Sequence, residues 1–195
     1  MKHEWRKHEK ELYGVTTTPK LVEVPKQKYL TIKGKGNPNE KDFSERIGVL
    51  YSLSYGIRML PKSGHTPDGY YEYTVYPLEG TWFASDSSTI LNKDCLQYTL
   101  MIRQPDFVSE EIVNTALELV QKKKPHKLLD EISLEEITDG LSVQLLHVGS
   151  YDDEPLSFQK MDMFLEDHGL LRTQNVHREI YLTNNKKTIL RYAVT

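Results

Sequence analysis

Polar and apolar positions alternate along His177-Arg178-Glu179-Ile180-Tyr181-Leu182. An extended chain there turns Ile180 and Leu182 to one side and His177, Glu179 and Tyr181 to the other. A carboxylate in mid-strand has to be solvated, paired or set in a cavity, since burying it bare costs several kcal/mol. The same kind of pattern predicts a first strand over residues 29–33, with Leu30 and Ile32 inward. Asn37-Pro38-Asn39-Glu40 has the residues of a capped helix start, and the helix runs to about Met59 with Phe43, Ile47, Leu50, Tyr51, Ser54 and Arg58 on one face. Residues 70–75 and 98–103 are predicted strands from their aromatic and β-branched content. Between them Pro77 and Gly80 bend the chain, which leaves Trp82 exposed or inserted into something.

Ser109 caps a helix that ends at Lys122-Lys123-Lys124 and Pro125, with the lysines at the carbonyl end as the helix dipole prefers. Residues 128–137 can form a short strand or a turn of helix. A strand over 143–148, a helix opened by Tyr151-Asp152-Asp153-Glu154-Pro155 and closed by Gly169, and strands over 177–182 and 188–194 joined by Asn184-Asn185 complete the chain.

Strand, glycine, capped helix, strand, strand therefore occurs twice. The expected fold is α+β: duplicated β-α-β-β units about a pseudo-two-fold axis, forming an antiparallel sheet with helices on one face and a ligand groove on the other. One domain spans 1–195, with the first unit over about 20–105, a connecting helix over about 109–125 and the second unit over about 140–195. Strand parity turns Glu179, Tyr181, His177, His147, Tyr71 and Tyr73 toward the groove, with Trp82 at its rim.

Composition narrows the function classes. The 12 tyrosines outnumber the 5 phenylalanines and 2 tryptophans together, a bias toward rings with a hydrogen-bonding tip that suits a wet pocket. A net charge of −3 gives no chain-wide basic field, so nucleic acid is not the expected direct partner. The single cysteine, Cys95, excludes an internal disulfide framework and a cysteine-based zinc site. The mixed charges before Glu11 resemble neither a signal peptide nor a membrane span, and the expected location is the cytoplasm.

The seven histidines lack metal-ligand spacing, so no metal is expected. Lys33-Gly34-Lys35-Gly36 lacks the spacing of a phosphate loop, and no cofactor is implied. No serine lies in a nucleophile elbow, and no basic neighbour marks Cys95 as a thiolate. What remains is Glu179 among rings. It is either the ion-pair partner of Arg178 or Arg191, or a functional carboxylate that holds a cation or activates water.

Six ordered motifs carry a resemblance: Leu21-Val22-Glu23-Val24-Pro25, Gly34-Lys35-Gly36-Asn37-Pro38, Tyr76-Pro77-Leu78-Glu79-Gly80-Thr81-Trp82, Met101-Ile102-Arg103-Gln104-Pro105, Gln144-Leu145-Leu146-His147-Val148-Gly149 and His177-Arg178-Glu179-Ile180-Tyr181-Leu182. From roughly Tyr13 onward the sequence resembles the stand-alone members of the GyrI-like small-molecule-binding family. That resemblance implies a duplicated fold with a groove between its halves, and a ligand-facing glutamate matching Glu179. Some stand-alone members are hydrolases that open the cyclopropane ring of DNA-alkylating natural products, which implies detoxification of xenobiotics. Glu179 and the Trp82 motif match the family, whereas Arg178 stands where many relatives carry a second histidine. Tyr71 is the candidate catalytic partner of Glu179 on strand parity alone, and Trp82, Tyr181, His147, Tyr73 and His177 are candidate ligand contacts. The expected partner is a small aromatic or cationic molecule, no membrane is involved, and a homodimer stays open. Hydrolysis, sequestering or sensing without turnover, and inhibition of a DNA-handling enzyme are the functions this resemblance allows.

Overall fold

The computed structural model describes residues 2–83, 96–183 and 186–195; Cys95 and the Asn184-Asn185 turn lie outside them. The alternating segments become strands β1 (Lys20–Val24), β2 (Gln27–Lys35), β3 (Leu78–Phe83), β4 (Gln97–Gln104), β5 (Ser133–Ile137), β6 (Gly140–Val148), β7 (Val176–Thr183) and β8 (Lys187–Ala193). The helices are α1 (Trp5–His8), α2 (Lys10–Tyr13), α3 (Lys41–Arg58), α4 (Glu110–Lys123) and α5 (Glu154–His168). All strand pairs are antiparallel, in the order β1-β6-β8-β7-β3-β4-β2-β5.

That order contains the duplication. Each half holds a strand, a helix and two further strands, and β6-β8-β7 mirrors β2-β4-β3 about the central β3/β7 pair. The edges bind the halves together: β1 precedes β2 in the chain but pairs with β6, while β5 precedes β6 but pairs with β2. Each half thus lends its leading strand to the other.

Both long helices of the repeats lie on one sheet face. Met161 and Leu165 of α5 pack with Val143, Leu145, Leu190 and Tyr192. Leu50, Leu53 and Ile57 of α3 join Leu30, Ile32, Leu100 and Ile102 in the larger core. α4 packs outside α3, where Gly56 leaves room for Val120; a Cβ on Gly56 would lie 2.6 Å from that side chain. Burial of these apolar faces, at about 25 cal/mol per Å², is the main driving force for the arrangement.

The opposite face is closed by the N-terminal segment. Trp5 donates its indole N–H to the Val75 carbonyl at 3.0 Å, and Glu9 binds Arg103 and the Tyr76 hydroxyl. Arg191 reaches the Leu12 carbonyl at 3.1 Å. Beneath this cover Arg178 bonds Glu79 at 3.2 Å, Asp139 at 2.9 Å and the Tyr29 hydroxyl at 2.9 Å. Burial raises the Glu79 pKa above its ordinary value despite the Arg178 and Arg191 charges. The fold class is as expected, but the second face carries this cover and polar network, and Glu179 points to the helix-bearing face.

Two local expectations are corrected, and one open alternative is resolved. Residues 70–75 form no strand; Tyr73 makes a single bridge to His3, and the sheet positions belong to Leu78–Phe83, which has a partner strand on each side. The stretch read as a bend is therefore a central strand. Helix α3 starts at Lys41 without a side-chain cap, because Asn37 Oδ1 accepts the Asn39 N–H at 3.0 Å and closes a local turn instead. Residues 128–137 hold both alternatives in succession, a 3₁₀ turn over Lys127–Glu131 and then β5.

Candidate functional site

Alternation along β7 puts His177, Glu179 and Tyr181 on the helix-bearing face, and Arg178 and Ile180 on the other. Cross-strand pairing sets Trp82 opposite His177 and Gly80 opposite Glu179. The bare glycine leaves room there for two side-chain ends. A Cβ at Gly80 would lie 3.2 Å from both Trp82 Nε1 and the Tyr181 oxygen, which meet directly above it.

Glu179 is 7% exposed. Its Oε1 lies 2.9 Å from His177 Nε2, and its Oε2 accepts the Tyr181 hydroxyl at 2.8 Å. Tyr181 in turn accepts the Trp82 indole N–H at 3.2 Å. Burial, then the charge of Glu179, pushes the Tyr181 phenol well above its ordinary pKa, so it remains a neutral donor. Both helices complete the wall. Phe43 of α3 stacks on Trp82 at 5.9 Å, Tyr98 lies 5.4 Å from Trp82, and Phe158 of α5 meets the His177 ring at 4.8 Å. Tyr151, just before α5, meets Tyr181 edge-on at 6.4 Å.

A second carboxyl group adjoins the first. The start of α5 runs beside β7, with Tyr151 at Tyr181 and Phe158 at His177, so the intervening Glu154 comes beside the intervening Glu179. Glu154 is 9% exposed, and its Oε1 is buried with no hydrogen-bond partner among the described residues. Burial, reinforced by the charge of Glu179, raises its pKa to about 8. A position in the first turn of a helix favours an ionised carboxylate by about 0.3–1 kcal/mol, too little to offset a shift of that size.

The arginine alternatives for Glu179 are not used. Arg178 serves Glu79 and Asp139, and Arg191 serves Gln144, all on the opposite face. Among the described residues the hydrogen-bond partners of Glu179 are His177 and Tyr181.

The structure gathers Trp82, His177, Glu179 and Tyr181, and places the other candidates elsewhere. His147 faces α5, with Nδ1 2.9 Å from the Ser157 hydroxyl and Nε2 2.8 Å from the Ser150 carbonyl, so both ring nitrogens are engaged. Tyr71 and Tyr73 are corrected: the strand assumed for their parity does not exist, and they pack with Phe107 near the N-terminal segment. Tyr71 meets His3 at 5.9 Å, and Tyr73 is buried. Sequence reasoning missed Phe43, Tyr151, Glu154 and Phe158. A signal was present, since Tyr151, Glu154 and Phe158 recur at spacings of three and four at the head of a helix. Among the described residues no group of three His, Cys, Asp or Glu side chains could hold a metal ion, and no helix is long and apolar enough to cross a membrane.

A carboxylate held by two donors within an aromatic wall can stabilise a cation or take a proton from water. No curated protein matches the chain. Solved structures do. A hydrolase encoded by lin2189 from Listeria innocua is 32% identical, with all of both chains covered and a TM-score of 0.94. An uncharacterized conserved protein from Listeria innocua is 34% identical over 99% of this chain and 100% of its own, with a TM-score of 0.92. A further Listeria innocua hydrolase is 32% identical over the same shares, with a TM-score of 0.91. Residues 17–192 match the GyrI-like small molecule binding domain, and the chain belongs to the GyrI-like family.

Proposed function

We propose that this protein binds flat, aromatic, electrophilic molecules at the Glu179 cluster and hydrolyses them, opening a strained cyclopropane ring with water. One observation carries the reading: Glu179 is buried among rings and held by His177 and Tyr181, with the neighbouring arginines turned to the other face. A carboxylate used as a structural ion-pair partner would face Arg178 or Arg191. The two hydrolases of similar fold support the reaction class.

In this mechanism the half-buried rings of Trp82 and Phe43, backed by the buried Tyr98, offer stacking area to the ligand. Glu179 takes a proton from a water that attacks the strained carbon. Tyr181, rather than Tyr71, is the hydroxyl next to the base. It fixes the carboxylate and, through Trp82, links the base to the stacking surface. The consequence for a cell is removal of an agent that would alkylate DNA.

The same aromatic cage around a carboxylate favours a second reading, retention of a cationic aromatic molecule without turnover. The test is incubation with a cyclopropane-bearing aromatic electrophile, followed by mass spectrometry. A product heavier by one water supports hydrolysis; bound but unaltered compound supports retention.

A further inference from the structure

We propose that Glu154 is the acid of this site, delivering a proton to the atom of the substrate that collects charge while Glu179 takes a proton from the attacking water. The inference rests on the hydrolytic reading above and adds a second catalytic residue to it.

The placement carries the argument. Tyr151 touches Tyr181 and Phe158 touches His177, so the first turn of α5 lies along β7 and Glu154 is set beside Glu179. Its side chain is buried, and its Oε1 has no partner among the described residues. An ionised carboxylate in such a place would be uncompensated next to a second negative charge; a protonated one is a donor awaiting an acceptor. The titratable groups coupled to it are Glu179 on β7 and Tyr151 at the head of its own helix; His177 and Tyr181 are bonded to Glu179, and His147 on β6 is held by Ser157 further along α5. Among the described residues none of its neighbours is a lysine or arginine in an ion pair with it. Its raised pKa, about 8, fits the same assignment.

The chemistry needs such a donor. An electrophilic cyclopropane carries an acceptor group, such as a conjugated carbonyl. As the water oxygen bonds to the ring carbon, the ring C–C bond breaks and its electron pair moves to that acceptor oxygen. The oxygen takes the proton of Glu154, and the proton lost by the water goes to Glu179. Product departure leaves Glu154 ionised and Glu179 protonated, and transfer of one proton between them, directly or through solvent, restores the starting state. Only water is consumed.

The experiment is the pH profile of hydrolysis for wild-type protein and Glu154→Gln, which keeps the shape and neutral polarity of the acid but has no proton to give. The expected result is a fall in kcat of about 10²-fold, the usual scale for one general acid, together with loss of the alkaline limb near pH 8. A Glu154→Gln protein with wild-type kcat, or one that is slow but keeps that limb, overturns the assignment while hydrolysis itself stands. A wild-type protein that yields no hydrated product removes the hydrolytic reading and this inference together. If Glu154→Gln does not fold, Glu154→Asp replaces it: slower turnover with the alkaline limb retained supports the acid, and a profile without that limb in an active Glu154→Asp protein overturns it.

Discussion

The Tyr181 hydroxyl donates to Glu179 Oε2 at 2.8 Å while accepting the Trp82 indole N–H at 3.2 Å, so a stacking ring and the candidate base are joined through one phenol. Burial keeps that phenol neutral and therefore able to donate. Replacing Tyr181 with Phe leaves the Trp82 N–H without its partner and removes one of the two donors to Glu179. The expected cost is about 1–3 kcal/mol, a fall in Tm of several degrees for a chain of this size. Trp82 emission should shift as well. Unchanged melting and unchanged emission would show that the phenol links nothing.

Gly80 is the other half of that geometry. Gly80→Ala places a methyl group 3.2 Å from both Trp82 Nε1 and the Tyr181 oxygen, with Leu100 at 3.6 Å, in a central strand that cannot withdraw. Overpacking of this kind costs about 1–3 kcal/mol. Binding of planar aromatics, followed by calorimetry, should weaken beyond what the loss of stability explains; equal affinity in a folded Gly80→Ala protein would disconnect this contact from the ligand surface.

On the opposite face, Arg178→Met separates stability from function. It leaves Glu79 and Asp139 without their guanidinium partner, and removing one side of a buried pair costs about 3–5 kcal/mol. Melting should drop sharply, while the folded fraction binds aromatics with unaltered affinity. A selective loss of binding with normal melting would place Arg178 in the site after all.

The duplicated strand and helix pattern was legible because hydrophobic periodicity survives in a single sequence, and so was the parity that groups His177, Glu179 and Tyr181. Strand parity misplaces Tyr71 and Tyr73 for a related reason. Tyr71 and Tyr73 alternate like strand residues, but pairing is a tertiary choice, and among the described residues the segment pairs only once, through Tyr73, with His3. Pro77 and Gly80 suggested a break where the chain forms a central strand, because the crowding of Trp82 and Tyr181 over Gly80 is invisible without the fold. In the sequence Glu154 is part of a helix opening. Its burial depends on α5 lying against β7, which no local pattern records.

Glu154 also predicts how stability should depend on pH. Its folded-state pKa, about 8, lies above the ordinary 4.5, so its contribution is fully present below about pH 4.5 and is lost as pH rises through about 8. Gln at this position does not titrate. Relative to wild type, Glu154→Gln should therefore gain stability between about pH 5 and pH 8 and level off above that, by several kcal/mol in all, or on the order of 10 °C in Tm. Parallel melting curves across that range would show that Glu154 ionises freely in the folded protein.

Glu179→Gln tests the centre of the proposal, since it keeps the reach of the side chain and removes its charge and basicity. A general base lost in this way should lower turnover by ~10²–10⁴-fold while binding of a neutral aromatic substrate changes little. Retention of cations predicts the reverse: cationic aromatics bind more weakly by about 1–3 kcal/mol, and neutral ones are unaffected. The two carboxyl groups give this variant a further signature. With the charge of Glu179 gone, the pKa of Glu154 should drop toward the ordinary range, and the pH-dependent stability gain expected for removing Glu154 should shrink in the Glu179→Gln background. Additive melting behaviour of the two substitutions would mean that the carboxyl groups do not sense each other. A well-folded Glu179→Gln protein that hydrolyses at the wild-type rate would end the assignment of Glu179 as base.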